Sequence, residues 1–285
     1  MARSVDEGFD TFLSRLVPLA SEREAASKHR ASVESSLRNR LEVRLFRESG
    51  SFNHGTGVRA NCDVDLLVSL KTKPESSDTA LRWVREALSA SFPKTAVQVR
   101  RPAVIVQFNS GKEAWEIIPG FRSGGTDILP IYQIPGVPSG WLESAPTAHL
   151  SYVTNVNKAP AGGAKKLARL MKAWKYYNAV PVSSFYLEMR AAKYMSDEKS
   201  FIPIYDVCKL FERLYDQKLA AMNDPLGMTS RFFACSTTPK AEEALSKLHT
   251  AATRARKALE AHRKEDPITA FHYLDLLFGG HFPAR

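Results

Sequence analysis

Apolar positions along the chain predict helices at the start and strands from about residue 43 onward. Residues 6–45 predict a helical segment that Pro18 interrupts, and Ser21 with Glu24 has the S-x-x-E spacing of a helix start. Short aliphatic runs predict strands over residues 43–47, 63–70, 97–99, 103–108 and 114–118, and a helix over 77–91. The last two strands are joined by Asn109-Ser110-Gly111-Lys112, which predicts a hairpin turn.

Prolines and glycines recur between residues 119 and 160, which predicts an irregular segment that crosses between two parts of the molecule. Beyond it, helical spacing predicts helices over residues 164–178, 184–195, 204–223 and 241–262. The pattern therefore predicts an α+β protein of two domains, a mixed α/β domain over 1–160 and a helical domain over 161–285. A cleft is expected where they meet.

Composition narrows the class of protein without naming a function. The 285 residues are 44% hydrophobic and 25% charged, as in folded soluble proteins, and no run is long and apolar enough for a membrane span. The first thirty residues have no apolar signal region, and the three cysteines have no metal-type spacing. We therefore expect a cytoplasmic protein with free thiols and no membrane partner.

Charge points to an anionic partner. The formal net charge is +10, and residues 158–194 alone carry eight basic residues and one acid, Glu188. Such a concentration is typical either of a surface that binds phosphates or of a solvated helix face.

Two carboxylates in DVDLL are the first candidates for chemistry. Asp63 and Asp65 are two residues apart on a predicted strand, so both project from one face with Cα atoms about 6.5 Å apart. Carboxylates held this close repel each other unless a cation lies between them, and hard oxygen ligands suit Mg²⁺ or Mn²⁺. Gly50 and Ser51 precede them in a glycine-containing loop, whose amides and hydroxyl are positioned to cradle a phosphate beside the metal.

Together these parts, GSFNHGTGVRANCDVDLLVSL, resemble the h-G-S…D-h-D signature of the DNA polymerase β type of nucleotidyltransferase. The resemblance implies a polymerase-β-like mixed sheet and a third acid on a neighbouring strand, which Glu116 in AWEIIPGF matches. The sequence departs from the family here, because aspartate is commoner at that position. The resemblance further implies two Mg²⁺ or Mn²⁺ ions held by Asp63, Asp65 and Glu116, with Gly50 and Ser51 at the nucleotide.

A second resemblance lies in the helical half. KKLARLMKAWKYYN places Leu167, Leu170, Met171 and Trp174 on one helical face and Lys165, Arg169 and Lys172 in a cationic stripe on the other. With the following SSFYLEMRAA it resembles 2′-5′-oligoadenylate synthetases and cyclic GMP-AMP synthase. That resemblance implies that Lys172 and Ser184 contact a triphosphate and that Phe185 stacks on a base.

Further stretches, YQIP…GWLESAPTAHLSYVTNVNK and DPLGMTSRFFACSTTPKAEEALSKLHTAATRARKALE, are similar to bacterial cGAS/DncV-like nucleotidyltransferases (CD-NTases). The likeness covers roughly residues 21–259. It implies an enzyme that condenses NTPs, ATP expected among them, into a cyclic di- or trinucleotide and releases pyrophosphate, in bacterial anti-phage (CBASS) signalling. An activating protein, ligand or RNA is a possible partner.

The sequence is also compatible with two other functions: a nucleotidyltransferase that extends an RNA end, and a non-catalytic RNA- or nucleotide-binding module with a decayed metal site.

The sequence also gives expectations for one histidine and for one arginine pair. His54 is expected to be a solvated loop histidine, and the pair Arg100 and Arg101 either lines the cleft or solubilises a sheet edge.

Overall fold

A mixed β-sheet forms one half of the molecule. The computed structural model describes residues 4–59, 63–111, 113–159 and 161–285. The described strands are β1 Val43–Ser49, β2 Val64–Leu70, β3 Ala96–Arg100, β4 Ala103–Phe108, β5 Glu113–Gly125, β6 Pro130–Pro135 and β7 Trp141–Ser144. Their order is β1-β2-β5-β4-β3, and β6 pairs with β5 and β7. Strands β2 and β5 are parallel, and every other pairing among these strands is antiparallel.

Helices flank the sheet and make up the other half. They are α1 Val5–Leu16, α2 Ala20–Arg38, α3 Gly50–His54, α4 Ser77–Ser91, α5 Pro146–Lys158, α6 Ala164–Tyr177, α7 Ser184–Met195, α8 Pro203–Asp216, α9 Thr238–Arg263 and α10 Pro267–Leu277. Polar caps fix several starts: the Ser76 hydroxyl accepts the Thr79 N–H at 3.0 Å at the start of α4, and Ser183 caps α7 in the same way.

Each half is built around a large hydrophobic core of its own. One lies beneath the sheet, where β2, β4 and β5 pack against α2 and α4. The other joins α6 to α10 and includes α1, whose Phe9 and Phe12 pack against Phe278 and Phe282. Because α1 shares the core of the C-terminal helices, the two cores do not coincide with a simple division at residue 160. The expected domains, 1–160 and 161–285, remain a prediction.

The prediction of an irregular segment between residues 119 and 160 is wrong. Strand β5 continues to Gly125, β6 and β7 follow, and α5 completes the stretch. Prolines stand at the ends of β6 and at the start of α5, where a missing N–H costs nothing. Gly120 allows close packing, because a Cβ there would lie 2.9 Å from the Gln133 carbonyl oxygen. The prolines at β6 and α5 therefore mark the ends of elements, and Gly120 marks a close packing contact.

Other boundaries also differ from the prediction. Helix α2 starts at Ala20, where the Glu22 carboxylate accepts the Leu19 N–H at 2.7 Å, and the predicted Ser21–Glu24 start does not form. Helix α8 ends at Asp216, because Lys218 and Leu219 adopt left-handed backbone conformations. Helix α10 has no counterpart in the sequence prediction, whereas α4, α7 and β4 were predicted at their observed bounds.

Candidate active site

The three predicted acids meet at one edge of the sheet. Asp65 of β2 lies opposite Glu116 of β5 in the parallel register, and Asp63 directly precedes β2. Neighbours in register point to the same face, while Val64 and Leu66 point into the core beneath the sheet. The pleat of β2 therefore directs Asp63 and Asp65 to one face of the sheet and the aliphatic residues into the core on the other face.

Burial raises the pKa of all three carboxyl groups, and repulsion between carboxylates adds to this effect at Asp65 and Glu116. Burial, then Glu116 and Asp63, hold the pKa of Asp65 well above its ordinary value. Burial, then Asp63, likewise raises the pKa of Glu116, and burial raises the pKa of Asp63. Without a cation, burial and the neighbouring carboxylates therefore disfavour ionisation of Asp65 and of Glu116. A cation between them would relieve this repulsion.

These acids fit a hard divalent cation. Within the described ranges, no three His, Cys, Asp or Glu side chains converge as a ready-made metal cage. Mg²⁺ does not need one, because it commonly uses one or two carboxylates and completes its shell with waters and substrate phosphates. Asp65 and Glu116, which lie opposite each other in register, provide that donor set together with the neighbouring Asp63.

A tight turn packs directly against these acids. Gly50 follows β1 and has φ +65°, and the chain forms the single helical turn α3 where a loop was expected. A Cβ on Gly50 would overlap the Asp65 carboxylate and lie 2.9 Å from the Asp65 Cβ. Only glycine allows this approach. Ser51, half-buried, is the next residue in the turn.

Lys175 and Ser184 form the helical side of the site. The Lys175 Nζ donates to the Ser184 hydroxyl at 2.6 Å, and its charge lowers the pKa of Asp63 and of Glu116. Burial, then the nearby Lys172, lowers the pKa of Lys175 to about 8. The structure thus brings Ser184 near the acids together with a lysine that was not among the predicted site residues.

Lys172 has other partners than the expected ones. Its side chain is 1% exposed, and its Nζ donates to the Thr56 hydroxyl at 2.8 Å and pairs with Glu188. Arg169 donates to the Gly57 carbonyl at 3.0 Å, so the expected cationic stripe does not form a common open face. The available signal for this burial was Glu188, the only acid of the basic stretch.

The structure also shows where His54 and the pair Arg100 and Arg101 lie. The prediction of a solvated His54 is wrong, because its side chain is 3% exposed and bonded to Glu188. The arginine pair separates: the charge of Arg100 lowers the pKa of Asp63, whereas Arg101 donates to the Gly136 carbonyl at 2.7 Å and to Asp78 at 2.5 Å. Arg100 therefore belongs to the site and Arg101 to the scaffold.

Phe185 lies at the start of α7, next to Ser184. Its ring is 36% exposed and packs edge-on against His149 and Phe232, with ring centroids 5.1 Å and 4.8 Å away. The packed edge leaves part of the ring open. Its role in stacking on a base remains a prediction.

These features together define a nucleotidyltransferase fold. They are an acid pair on adjacent parallel strands, a glycine-serine turn packed against that pair, and a helical layer with a lysine–serine pair. Over residues 3–157 the sequence matches the family described as Second Messenger Oligonucleotide or Dinucleotide Synthetase domain. The chain belongs to this family. The expectations of a CD-NTase homologue, of a nucleotidyltransferase and of an α+β fold with a helical C-terminal region are confirmed.

Individual relatives agree with this assignment. The chain is 25% identical over 265 residues to the cyclic AMP-AMP-AMP synthase of an Acinetobacter strain, which covers 86% of this chain and 74% of that one. Its fold is similar to CdnC of E. coli MS115-1 with ATP, at TM-score 0.78, 19% identity and 98% coverage of both chains. That protein has also been solved in complex with a HORMA protein.

A third similar structure is the CD-NTase CdnG of Bradyrhizobium diazoefficiens with GTP, at TM-score 0.76 and 15% identity, covering 97% of this chain and 95% of that one. Among the helices that the structure describes, none combines the length and apolarity needed to cross a bilayer.

Proposed function

We propose that this protein uses Mg²⁺ or Mn²⁺ to condense NTPs into a cyclic di- or trinucleotide second messenger, with release of pyrophosphate, in bacterial anti-phage (CBASS) signalling. The observation that carries the proposal is the pairing of Asp65 with Glu116 against the Gly50 turn, with Lys175 and Ser184 on the helical side. The Acinetobacter relative, a cyclic AMP-AMP-AMP synthase, supports ATP as one substrate.

Asp63, Asp65 and Glu116 would hold the two metal ions. Bound there, the ions would activate a ribose hydroxyl and neutralise charge on the triphosphate. Glu116 accepts the proton of the attacking hydroxyl. The hydroxyl oxygen attacks the α-phosphorus in line, and pyrophosphate leaves.

The nucleotide is held from two sides. The Gly50–Ser51 turn contacts the phosphates from the sheet, and Lys175 with Ser184 contacts them from the helices. Phe185 stacks on a base with the open part of its ring. Lys172, which the resemblance placed at the triphosphate, is already paired with Glu188, so Lys175 takes the charge-neutralising role here.

The direct test is incubation of the purified protein with all four NTPs and Mg²⁺ or Mn²⁺, next to an Asp63→Ala/Asp65→Ala variant. We expect a phosphatase-resistant cyclic product by mass spectrometry that is absent from the variant. Parallel reactions contain RNA or a HORMA protein, since the E. coli relative binds one. Pyrophosphate release that requires RNA and extends it would favour an RNA-end nucleotidyltransferase, and nucleotide binding without release in every reaction would favour a binding module.

Replacing Lys175 is expected to weaken nucleotide use in a pH-dependent way. Lys175→Met lowers kcat/KM about 10- to 100-fold, the loss expected when a hydrogen bond to a charged group is removed. In the wild type, kcat/KM falls as pH rises through about 8, because the deprotonated amine has no charge to offer the phosphates. Steady-state kinetics between about pH 7 and pH 9.5 measures both effects.

The matched control is Lys175→Arg, which stays charged over this range. We expect it to retain measurable activity and to remove the fall above pH 8. An unchanged kcat/KM in the methionine variant would exclude Lys175 from the triphosphate site.

A further inference from the structure

A buried polar cluster lies next to the site, at the end of the glycine-serine turn. The Glu188 cluster consists of Glu188 and Lys172, from α7 and α6, and of His54 and Thr56, from the end of α3 and the residues after it. Their side chains are 0–3% exposed. The nucleotide chemistry described above does not use this cluster.

Every member bonds to the carboxylate at its centre. The Thr56 hydroxyl donates to Glu188 Oε2 at 2.5 Å and accepts from Lys172 Nζ at 2.8 Å. His54 Nδ1 pairs with Glu188 Oε1, and Lys172 Nζ pairs with Glu188 Oε2. Burial alone would raise the pKa of Glu188, but the charge of Lys172 and the hydrogen bond from His54 outweigh it and hold that pKa below its usual value.

These bonds fix the chain that leaves the turn. Arg169 of α6 donates to the carbonyls of Gly55 and Gly57 at 2.5 Å and 3.0 Å. With the bonds of the Glu188 cluster included, each of the four consecutive residues 54–57 is hydrogen-bonded or ion-paired to a side chain of α6 or α7. The turn is thus held at its start by contact of Gly50 with Asp65 and at its end by Glu188.

An arrangement of this kind is costly to build. Taking a carboxylate and an ammonium out of water costs several kcal/mol per ion, and an apolar pair of similar volume is often at least as stable. Stability alone therefore does not account for an ion pair at this position. What the Glu188 cluster provides is a fixed position for the turn relative to α6, the helix that carries Lys175.

We propose that Glu188 is a positioning residue, which holds the Gly50–Ser51 turn in register with Lys175 and Ser184 so that both sides meet one triphosphate. Lys172 acts through Glu188 and does not contact the nucleotide. This inference rests on the proposed function, since it assigns the triphosphate to that site.

A double-mutant cycle on Glu188→Gln and Lys172→Met tests it, with affinity for a non-hydrolysable ATP analogue and Mg²⁺ measured by calorimetry. We expect Glu188→Gln to weaken binding about 10- to 100-fold, since a misplacement of about 1 Å has effects of this size. Adding Lys172→Met to that variant changes affinity less than twofold, because the two residues act as one unit.

The opposite pattern would overturn the proposal. If Lys172 contacts the triphosphate directly, Glu188→Gln releases its charge, so affinity stays the same or tightens. Lys172→Met would then cost as much affinity in the Glu188→Gln protein as in the wild type.

A second measurement separates positioning from folding and from the proposed function. Without nucleotide, Glu188→Gln should increase amide hydrogen exchange at least about tenfold over residues 50–57. The control is Asp206→Asn, a carboxylate of similar burial that is bonded to Tyr194 at 2.9 Å inside the helical core, which should leave those residues unchanged. Unchanged exchange in Glu188→Gln would overturn the positioning role. Increased exchange in that variant, combined with a wild type that binds no ATP, would overturn the proposed function alone.

Discussion

Asp65→Asn abolishes nucleotide condensation and raises the thermal stability of the metal-free protein. Activity is expected to fall on the order of 1,000-fold or more, because the lost carboxylate is a metal ligand and metal stabilisation of the transition state is worth several kcal/mol. Stability rises because Asp65 is buried against Glu116 and Asp63, so its negative charge destabilises the folded state.

The sign of the stability change depends on pH. The pKa of Asp65 is higher in the folded than in the unfolded chain, so ionisation costs nothing below the unfolded value and its cost grows as pH rises through the folded one. Scanning calorimetry without metal should therefore show a larger gain in Tm for Asp65→Asn at pH 8 than at about pH 4.

The matched control for this substitution is Asp127→Asn, which removes an exposed carboxylate paired with Arg122 at 2.7 Å. It should change neither activity nor the pH dependence of Tm, since exposed ion pairs contribute little. A lower Tm for Asp65→Asn at pH 8 would contradict the interpretation of the acid cluster as destabilising in the absence of metal.

Gly50→Ala is expected to reduce turnover at least about 100-fold and to destabilise the fold. The new methyl group overlaps the Asp65 carboxylate, so either the turn or the acid must shift, and small displacements at a reacting centre are costly. The left-handed backbone at φ +65° adds about 1–2 kcal/mol of strain for any residue with a Cβ. Steady-state kinetics and chemical denaturation measure the two effects.

Gly140→Ala provides the control, because Gly140 has φ +70° and no atom within 4 Å of the position of a Cβ. It carries the backbone strain without the collision, so it should lose stability but keep turnover. Equal losses of turnover in both variants would show that strain, and not contact with Asp65, explains the glycine at position 50.

The sequence places Asp63 and Asp65 together because their arrangement is local. Asp63 and Asp65 share a face by the two-residue period of one strand, and that period also directs Val64 and Leu66 into the core. Glu116 required a resemblance to a known family, since its place opposite Asp65 depends on a parallel pairing between distant strands.

The lysines show where sequence reasoning fails. Lys172 and Lys175 are three residues apart, so a helical period places them on neighbouring positions of one face and cannot distinguish between them. The contact with Glu188 of α7 decides the outcome: it buries Lys172 and leaves Lys175 to meet Ser184. Similarly, Pro130 and Pro135 mark the two ends of β6, which only the pairing of β5 with β6 makes visible.

The packing of α1 against α10 and the residues that follow α10 affects how the protein folds during translation. Phe9 is translated long before Phe282, whose ring it contacts with ring centroids 5.2 Å apart. Until Phe282 has been translated, the apolar face of α1 has no complete partner, so a nascent chain stalled before Phe278 would expose it. We therefore expect the sheet, whose strands lie between residues 43 and 144, to become protected from proteolysis earlier during translation than the N-terminal helix that precedes it.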